Sequence, residues 1–149
     1  MTPLKRKAGL KRTGFKQNKN KYNAVRCADS DGNQFDSKNE MARYKFLQML
    51  QKGGQISQLV LHPKITLIEA RGSAKRIAWT VDYSYEEDGR TVYEDSKPRP
   101  MDGREILLCK LWKHFGPGLL IITGSSRDNF RTLKRFMPEP ATQLDLGLD

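Results

Sequence analysis

Asp82, Asp95 and Lys97 are two acids and a lysine whose spacing suits divalent-cation chemistry. They sit in "KRIAWTVDYSY" (75–85) and "TVYEDSK" (91–97), two runs rich in aromatic and β-branched residues that read as strands. "EEDGR" joins them. A two-residue turn at Asp88-Gly89, where glycine accepts positive φ, pairs Glu87 with Arg90 and sets Asp82 opposite Asp95. Alternation along the strand then puts Lys97 on the face of Asp95 and Glu94 on the other. A three-residue bulged turn would instead bring Asp82 opposite Glu94. Two facing carboxylates about 5 Å apart repel by roughly 3 kcal/mol at an effective dielectric near 20. A cation between them removes that repulsion. Mg²⁺ takes one or two carboxylates and fills its octahedron with water and phosphate oxygens. Lys97 beside it would orient or deprotonate a water, or offset charge on a phosphate. The alternative is an exposed hairpin whose acids are hydrated and screened by Lys97.

The elements that must hold these residues are legible around them. "DSKNEMARYKFLQMLQKGG" predicts a helix from Ser37 to Lys52, with Ser37 as N-cap and Gly53-Gly54 as the stop. Ala42, Phe46, Met49 and Leu50 fall on one face of it and are expected to be buried. "SQLVLHPKITLIEA" reads as short strands interrupted at Pro63, and Pro98 and Pro100 end the strand that carries Asp95. A second helix is expected from Asp102 to Phe115, supplying Ile106, Leu107, Cys109, Leu111 and Trp112 as apolar surface, and "GPG" stops it. "LLIIT" (119–123) is an apolar run suited to a strand covered on both faces. A short basic helix is expected over Arg127 to Phe136, and "PEPATQLDLGLD" reads as an unstructured tail. The order of elements implies an α/β sandwich with a mixed sheet. Three parts follow: a flexible basic arm (1–22), a folded domain (23–137) and a C-terminal peptide tail (138–149).

The net charge of +10 points to a polyanionic partner. Nine lysines and arginines, and no acid, precede Ala28. Lys5, Arg6, Lys7, Lys11, Arg12, Lys16, Lys19 and Lys21 form an arm able to track phosphates, with Phe15 and Tyr22 available to stack on bases. A solubilising disordered tail is the plainer reading of the same residues. No apolar run approaches the roughly 18 residues that span a bilayer, and the basic N-terminus lacks a signal peptide's apolar stretch. A cytoplasmic protein with reduced Cys27 and Cys109 is expected. His62 and His114 have no metal-spaced partner, and no nucleotide loop or organic cofactor motif is present.

Asp82, a turn, then Asp95-Ser96-Lys97 resembles the motif of the PD-(D/E)xK nuclease superfamily, as does the order helix, three-strand meander, helix, strand. "KYNA", "FDSKNEMARY", "VDY" and "VYEDSK" most resemble small phage nucleases related to the phage endonuclease I type of Holliday junction resolvase. The resemblance runs from Lys21 to Thr123. It implies a Mg²⁺-dependent endonuclease, with Mn²⁺ able to substitute, acting as a homodimer on branched or otherwise non-standard DNA. It also implies that Asp82 and Asp95 bind metal, that Glu40 on the first helix completes the set, and that Lys97 is catalytic. Glu40 has a second reading, because Ser37-x-x-Glu40 is a capping box. The chain departs from the pattern at Val81, where the superfamily name has proline, and at Pro98, where glycine is expected. The competing class is a catalytically weak or inactive nuclease-fold protein that only binds DNA, and a nuclease for RNA or linear ends is a third.

At the C-terminus "QLDLGL" resembles the peptide that binds the bacterial sliding clamp. Gln143, Leu144, Leu146 and Leu148 would enter apolar pockets on such a partner. The alternative is a terminus that packs back on its own domain.

Overall fold

A computed structural model describes residues 24–140. The elements run β1 (Cys27–Ala28), β2 (Gln34–Phe35), α1 (Lys38–Lys52), β3 (Ser57–Leu61), β4 (Lys64–Ile68), β5 (Ile77–Thr80), β6 (Tyr83–Glu87), β7 (Arg90–Ser96), α2 (Gly103–Phe115), β8 (Leu119–Thr123) and β9 (Thr132–Phe136), with a 3₁₀ turn at Ser126–Asp128. The arm residues Lys5 to Lys21 and the tail residues Gln143 to Leu148 lie outside the described residues.

Asp88 and Gly89 both take positive φ, 49° and 74°, as a tight hairpin turn demands. Glu87 therefore pairs with Arg90, and the ladder runs back to Tyr83 opposite Glu94. Around this hairpin a five-stranded sheet forms in the order β3-β6-β7-β8-β9. Only β7 and β8 are parallel, and α2 makes the crossover between them. Leu47 of α1 packs with Tyr83, Tyr85, Val92 and Ile121 on one face. Leu108 and Trp112 of α2, with Leu67 and Trp79 of β4 and β5, pack on Val81, Leu120 and Ile122 on the other. The result is the expected α/β core, a mixed sheet covered on both faces in the topology of the nuclease core.

The run 75–85 is one strand direction broken in the middle. Leu61 pairs with Tyr83 and Lys64 with Thr80, so a single antiparallel register continues from the sheet into the β4–β5 ribbon. Between them the His62 N–H donates to the Asp82 carbonyl at 2.8 Å and the Val81 N–H to the Pro63 carbonyl at 3.2 Å. His62, at φ 53°, bends the chain there. Asp82 thus occupies a kink and not the interior of a strand.

Three expectations are corrected. The buried residues of α1 are Arg43 and Leu47, whereas Ala42, Phe46 and Met49 face outward and Leu50 is half-buried. Arg43 is drawn inward by a buried carboxylate, which rotates the helix away from its most apolar stripe. On α2, Leu108, Cys109 and Trp112 are buried while Ile106 and Leu107 are exposed. The expected basic helix at 127–136 is the 3₁₀ turn followed by β9. Asn129 and Phe130 both take φ 52°, which ends helical geometry, and "TLKRF" then satisfies the open edge of β8.

Candidate metal centre

Asp82 is held from two sides. Its kink is fixed by the backbone bonds to His62 and Pro63, and its Oδ2 accepts from the Ser96 N–H at 2.7 Å. It follows Val81 just beyond the last ladder pair, which leaves it beside Asp95 as the turn register requires. Burial pushes its carboxyl well above the usual aspartate range, and the charges of Asp95 and Glu40 push it further.

Asp95 lies on β7, paired with Ile122 of β8 and 2% exposed. Lys97 Nζ forms an ion pair with its Oδ2 at 2.5 Å, and this buried oxygen has no other polar partner among the described residues. Burial raises the Asp95 carboxyl, Lys97 only partly offsets that, and Glu105 and Glu40 add to the rise. Lys97 also lies 3.3 Å from Glu105 Oε1 on α2. Burial alone would lower its pKa, but Asp95, Asp82 and Glu105 together raise it, so the amine remains an ammonium. The Lys97 N–H donates to the Thr123 carbonyl at 2.8 Å, so sheet hydrogen bonding carries through Lys97 and the exposed Pro98 lies beyond it.

Glu40 caps α1 and also lies within electrostatic reach of the hairpin acids. Its N–H donates to Ser37 Oγ at 3.2 Å and its Oε2 accepts from the Asp36 N–H at 2.9 Å, which caps α1 one residue earlier than a standard capping box. Its negative charge also acts on Asp82 and Asp95, and its carbonyl accepts from the Tyr83 hydroxyl at 2.7 Å. Glu40, Asp82, Asp95 and Lys97 are therefore brought together from α1, the kink and β7.

The side chains that support this group fall outside the sequence motif. Glu94, on the opposite face of β7, is fully buried and is gripped by Arg43 through both carboxylate oxygens, at 2.5 and 3.0 Å, with Tyr85 donating at 3.0 Å. Asn39, next to Glu40, donates to Ser96 Oγ at 3.0 Å and accepts from the Ser126 N–H at 2.8 Å, tying α1 to the end of β7 and to the 3₁₀ turn after β8. Glu105 receives a bidentate contact from Arg99 at 3.0 and 3.1 Å while capping α2 at Asp102. Of these, Glu94 alone left a trace in the sequence, as the acid that strand alternation puts on the face opposite Asp95.

Two open clefts flank the group and meet at Thr80. One, about 490 Å³, has Glu40 and Asp82 on its wall with Arg26 and His62. The other, about 450 Å³, lies between the base of the β4–β5 ribbon and α2, and exposes Lys97 with Lys64 and Arg104. Among the described residues no group of three or more His, Cys, Asp or Glu side chains forms a ready-made metal site. The local chemistry nonetheless fits a hard cation. The donors would be carboxylate oxygens, the buried Asp95 Oδ2 is met by Lys97 alone among the described residues, and Mg²⁺ needs only one or two carboxylates from protein. Among the described residues no helix is long and apolar enough to cross a membrane.

An α/β domain of nuclease-core topology, with a cluster of carboxylates and a half-buried lysine where its sheet bends, is the class these features define. The chain belongs to the family described as "Protein of unknown function (DUF1064)", whose model matches residues 19–111 and so includes Glu40, Asp82, Asp95 and Lys97. No curated protein and no solved structure matches it.

Proposed function

We propose that this domain is a Mg²⁺-dependent DNA endonuclease, with Mn²⁺ able to substitute, acting on branched or otherwise non-standard DNA. The observation that carries the reading is the convergence of Glu40, Asp82 and Asp95 with Lys97 as a half-buried counter-charge. Asp82 and Asp95 hold the cation, and Glu40 contributes its charge from the first turn of α1. A divalent cation held there would supply Lewis-acid chemistry, polarising a phosphoryl oxygen and activating water. Lys97, kept protonated by its three carboxylate neighbours, acts as a fixed positive charge toward the phosphate and the attacking water, not as a base. Water adds to phosphorus, one P–O ester bond breaks, and the leaving oxygen takes up a proton. The basic arm adds sequence-independent affinity, a homodimer supplies two sites for two strands, and Gln143 to Leu148 recruits the enzyme to a sliding clamp.

Supercoiled plasmid and a synthetic four-way junction, each incubated with MgCl₂, MnCl₂ or EDTA, test the reading. Cleavage with either cation, abolished by EDTA and by Asp95→Asn or Lys97→Ala while DNA binding persists, supports it. Binding by the wild type with no cleavage in either MgCl₂ or MnCl₂ overturns it in favour of a binding protein.

A further inference from the structure

Beyond the carboxylate site, the most exposed basic feature of the fold is the tip of the β4–β5 ribbon. Residues 69–77 are all exposed. They carry Arg71, Lys75 and Arg76 against a single acid, Glu69, and none of the three cations has an ion-pair partner among the described residues. The tip is not loose chain. Arg71 and Ala74 exchange backbone hydrogen bonds at 3.0 Å in both directions, with Gly72 at φ 57° making the turn. Leu67 and Trp79 bury the stem against α2. A hairpin serving only as a connection needs neither a buried stem nor an unpaired cationic end.

The base of this ribbon is where the candidate site begins. Lys64 pairs with Thr80, and Thr80 separates the two clefts and precedes Asp82 by two residues. At the base of the ribbon the second cleft is lined by Lys64, Arg104 and Lys97, together with the acids Asp102 and Glu105. A two-stranded antiparallel ribbon fits the major groove of B-form DNA, about 12 Å wide, and its strong right-handed twist suits a helical groove. A-form RNA offers a deep, narrow major groove that excludes it.

We infer that the β4–β5 ribbon is a duplex-DNA-binding arm. Arg71, Lys75 and Arg76 enter or straddle the groove, and Lys64 and Arg104 lead the backbone to the carboxylate site. Eight residues separate Ala74 from Asp82, about 26 Å of strand at about 3.3 Å each. At 3.4 Å per base pair the tip engages duplex about 6–8 base pairs from the phosphate at Asp82. The inference rests on the reading of this domain as one that acts on DNA, but its test does not depend on catalysis.

The full chain is compared with its Arg71→Ala/Lys75→Ala/Arg76→Ala variant, whose exposed, unpaired side chains leave the melting temperature unchanged. Binding is read by anisotropy in EDTA across a KCl series. The probes are a DNA duplex long enough to pass the tip, a duplex of four base pairs, a single strand and an RNA duplex. The expected result is a salt slope flattened by about 2–3 on long duplex DNA, at about 0.9 for each phosphate no longer neutralised, and no change on the other three. Charge-retaining Arg71→Lys and Arg76→Lys keep the wild-type slope. An unchanged slope on long duplex DNA, or an equal flattening on single strands or duplex RNA, overturns the inference. Hydrolysis of bis(4-nitrophenyl) phosphate with Mn²⁺ is measured alongside. Absence of that activity in the wild type counts against the nuclease reading alone, and its disappearance in the ribbon variant overturns the separation of arm from site.

Discussion

The Ser96 N–H donates to Asp82 Oδ2 at 2.7 Å, so the strand that carries Asp95 also holds the acid facing it. One oxygen of Asp82 is committed to this bond, and the carboxyl as a whole feels the charges of Asp95 and Glu40. Burial opposes ionisation of Asp82 and Asp95, and the neighbouring carboxylates add to that opposition. The opposition has consequences for stability as well as for chemistry.

Asp82 binds its proton more tightly in the fold than in the unfolded chain, where aspartate titrates near pH 3.9. Its contribution to stability is therefore complete below about pH 3.9 and is lost as pH rises through the folded value. Asp82→Asn keeps an acceptor for Ser96 and removes the charge. In EDTA at pH 7.5 it should melt about 3–5 °C higher than wild type, the shift produced by about 1 kcal/mol in a domain of this size. The gain should vanish near pH 3.5. Added MgCl₂ should raise the wild-type melting temperature and leave the variant's unchanged. An Asp82→Asn protein less stable than wild type at neutral pH would remove the electrostatic reading of the cluster.

Glu40 joins α1's cap to the candidate site, and the two roles separate by substitution. Glutamine retains an oxygen for the Asp36 N–H. Glu40→Gln should melt like wild type and lose most cleavage, whereas Glu40→Ala should lose cleavage and about 0.5–2 kcal/mol of stability besides. Wild-type cleavage by Glu40→Gln, measured on the four-way junction, would leave Glu40 with the cap alone.

Arg43 and Glu94 form a buried pair whose halves are strongly interdependent. Arg43→Met strands a fully buried carboxylate and should cost about 3–5 kcal/mol, read from the midpoint of urea unfolding. Adding Glu94→Leu should restore much of that stability, because removing both charges also removes their desolvation. A double variant no more stable than Arg43→Met would mean that Tyr85 and Thr123, which also bond Glu94, depend on the carboxylate for most of the network's worth.

What the sequence disclosed of this site is what local chemistry controls. The Asp88-Gly89 turn fixes a register by backbone geometry alone, and from it the proximity of Asp82 and Asp95 follows by counting. Ser37 and Asp102 cap their helices through side-chain bonds within three residues. The kink at His62-Pro63 was legible only as an interruption, since its effect on Asp82 needs a partner strand twenty residues on. The burial of Arg43 depends on Glu94, fifty-one residues away, and no helical periodicity contains it. "TLKRF" is too short for its pattern to separate helix from strand, so the free edge of β8 decides it. Glu40's link to the site came through resemblance, because a residue three after an N-cap serine reads first as a cap.

The two ends of the chain should perform separable tasks. Deleting residues 1–20 removes Lys5, Arg6, Lys7, Lys11, Arg12, Lys16 and Lys19, seven cations in all. Each phosphate that the arm no longer neutralises should flatten the plot of log affinity against log salt by about 0.9 on duplex DNA, and with some cations left hydrated a total change of about 3–6 is expected. The truncated protein should still cut at low salt, because Glu40, Asp82, Asp95 and Lys97 are all carried by the folded core. Alanine at Gln143, Leu144 and Leu146 should act in the opposite sense, leaving junction cleavage and salt slope unchanged while abolishing capture by an immobilised bacterial sliding clamp. If that triple variant loses cleavage or melts earlier, the leucines serve this chain's own domain and not a partner. The difference is physical: a peptide ligand contributes nothing to the free fold, whereas a docked terminus buries apolar surface that the fold then requires.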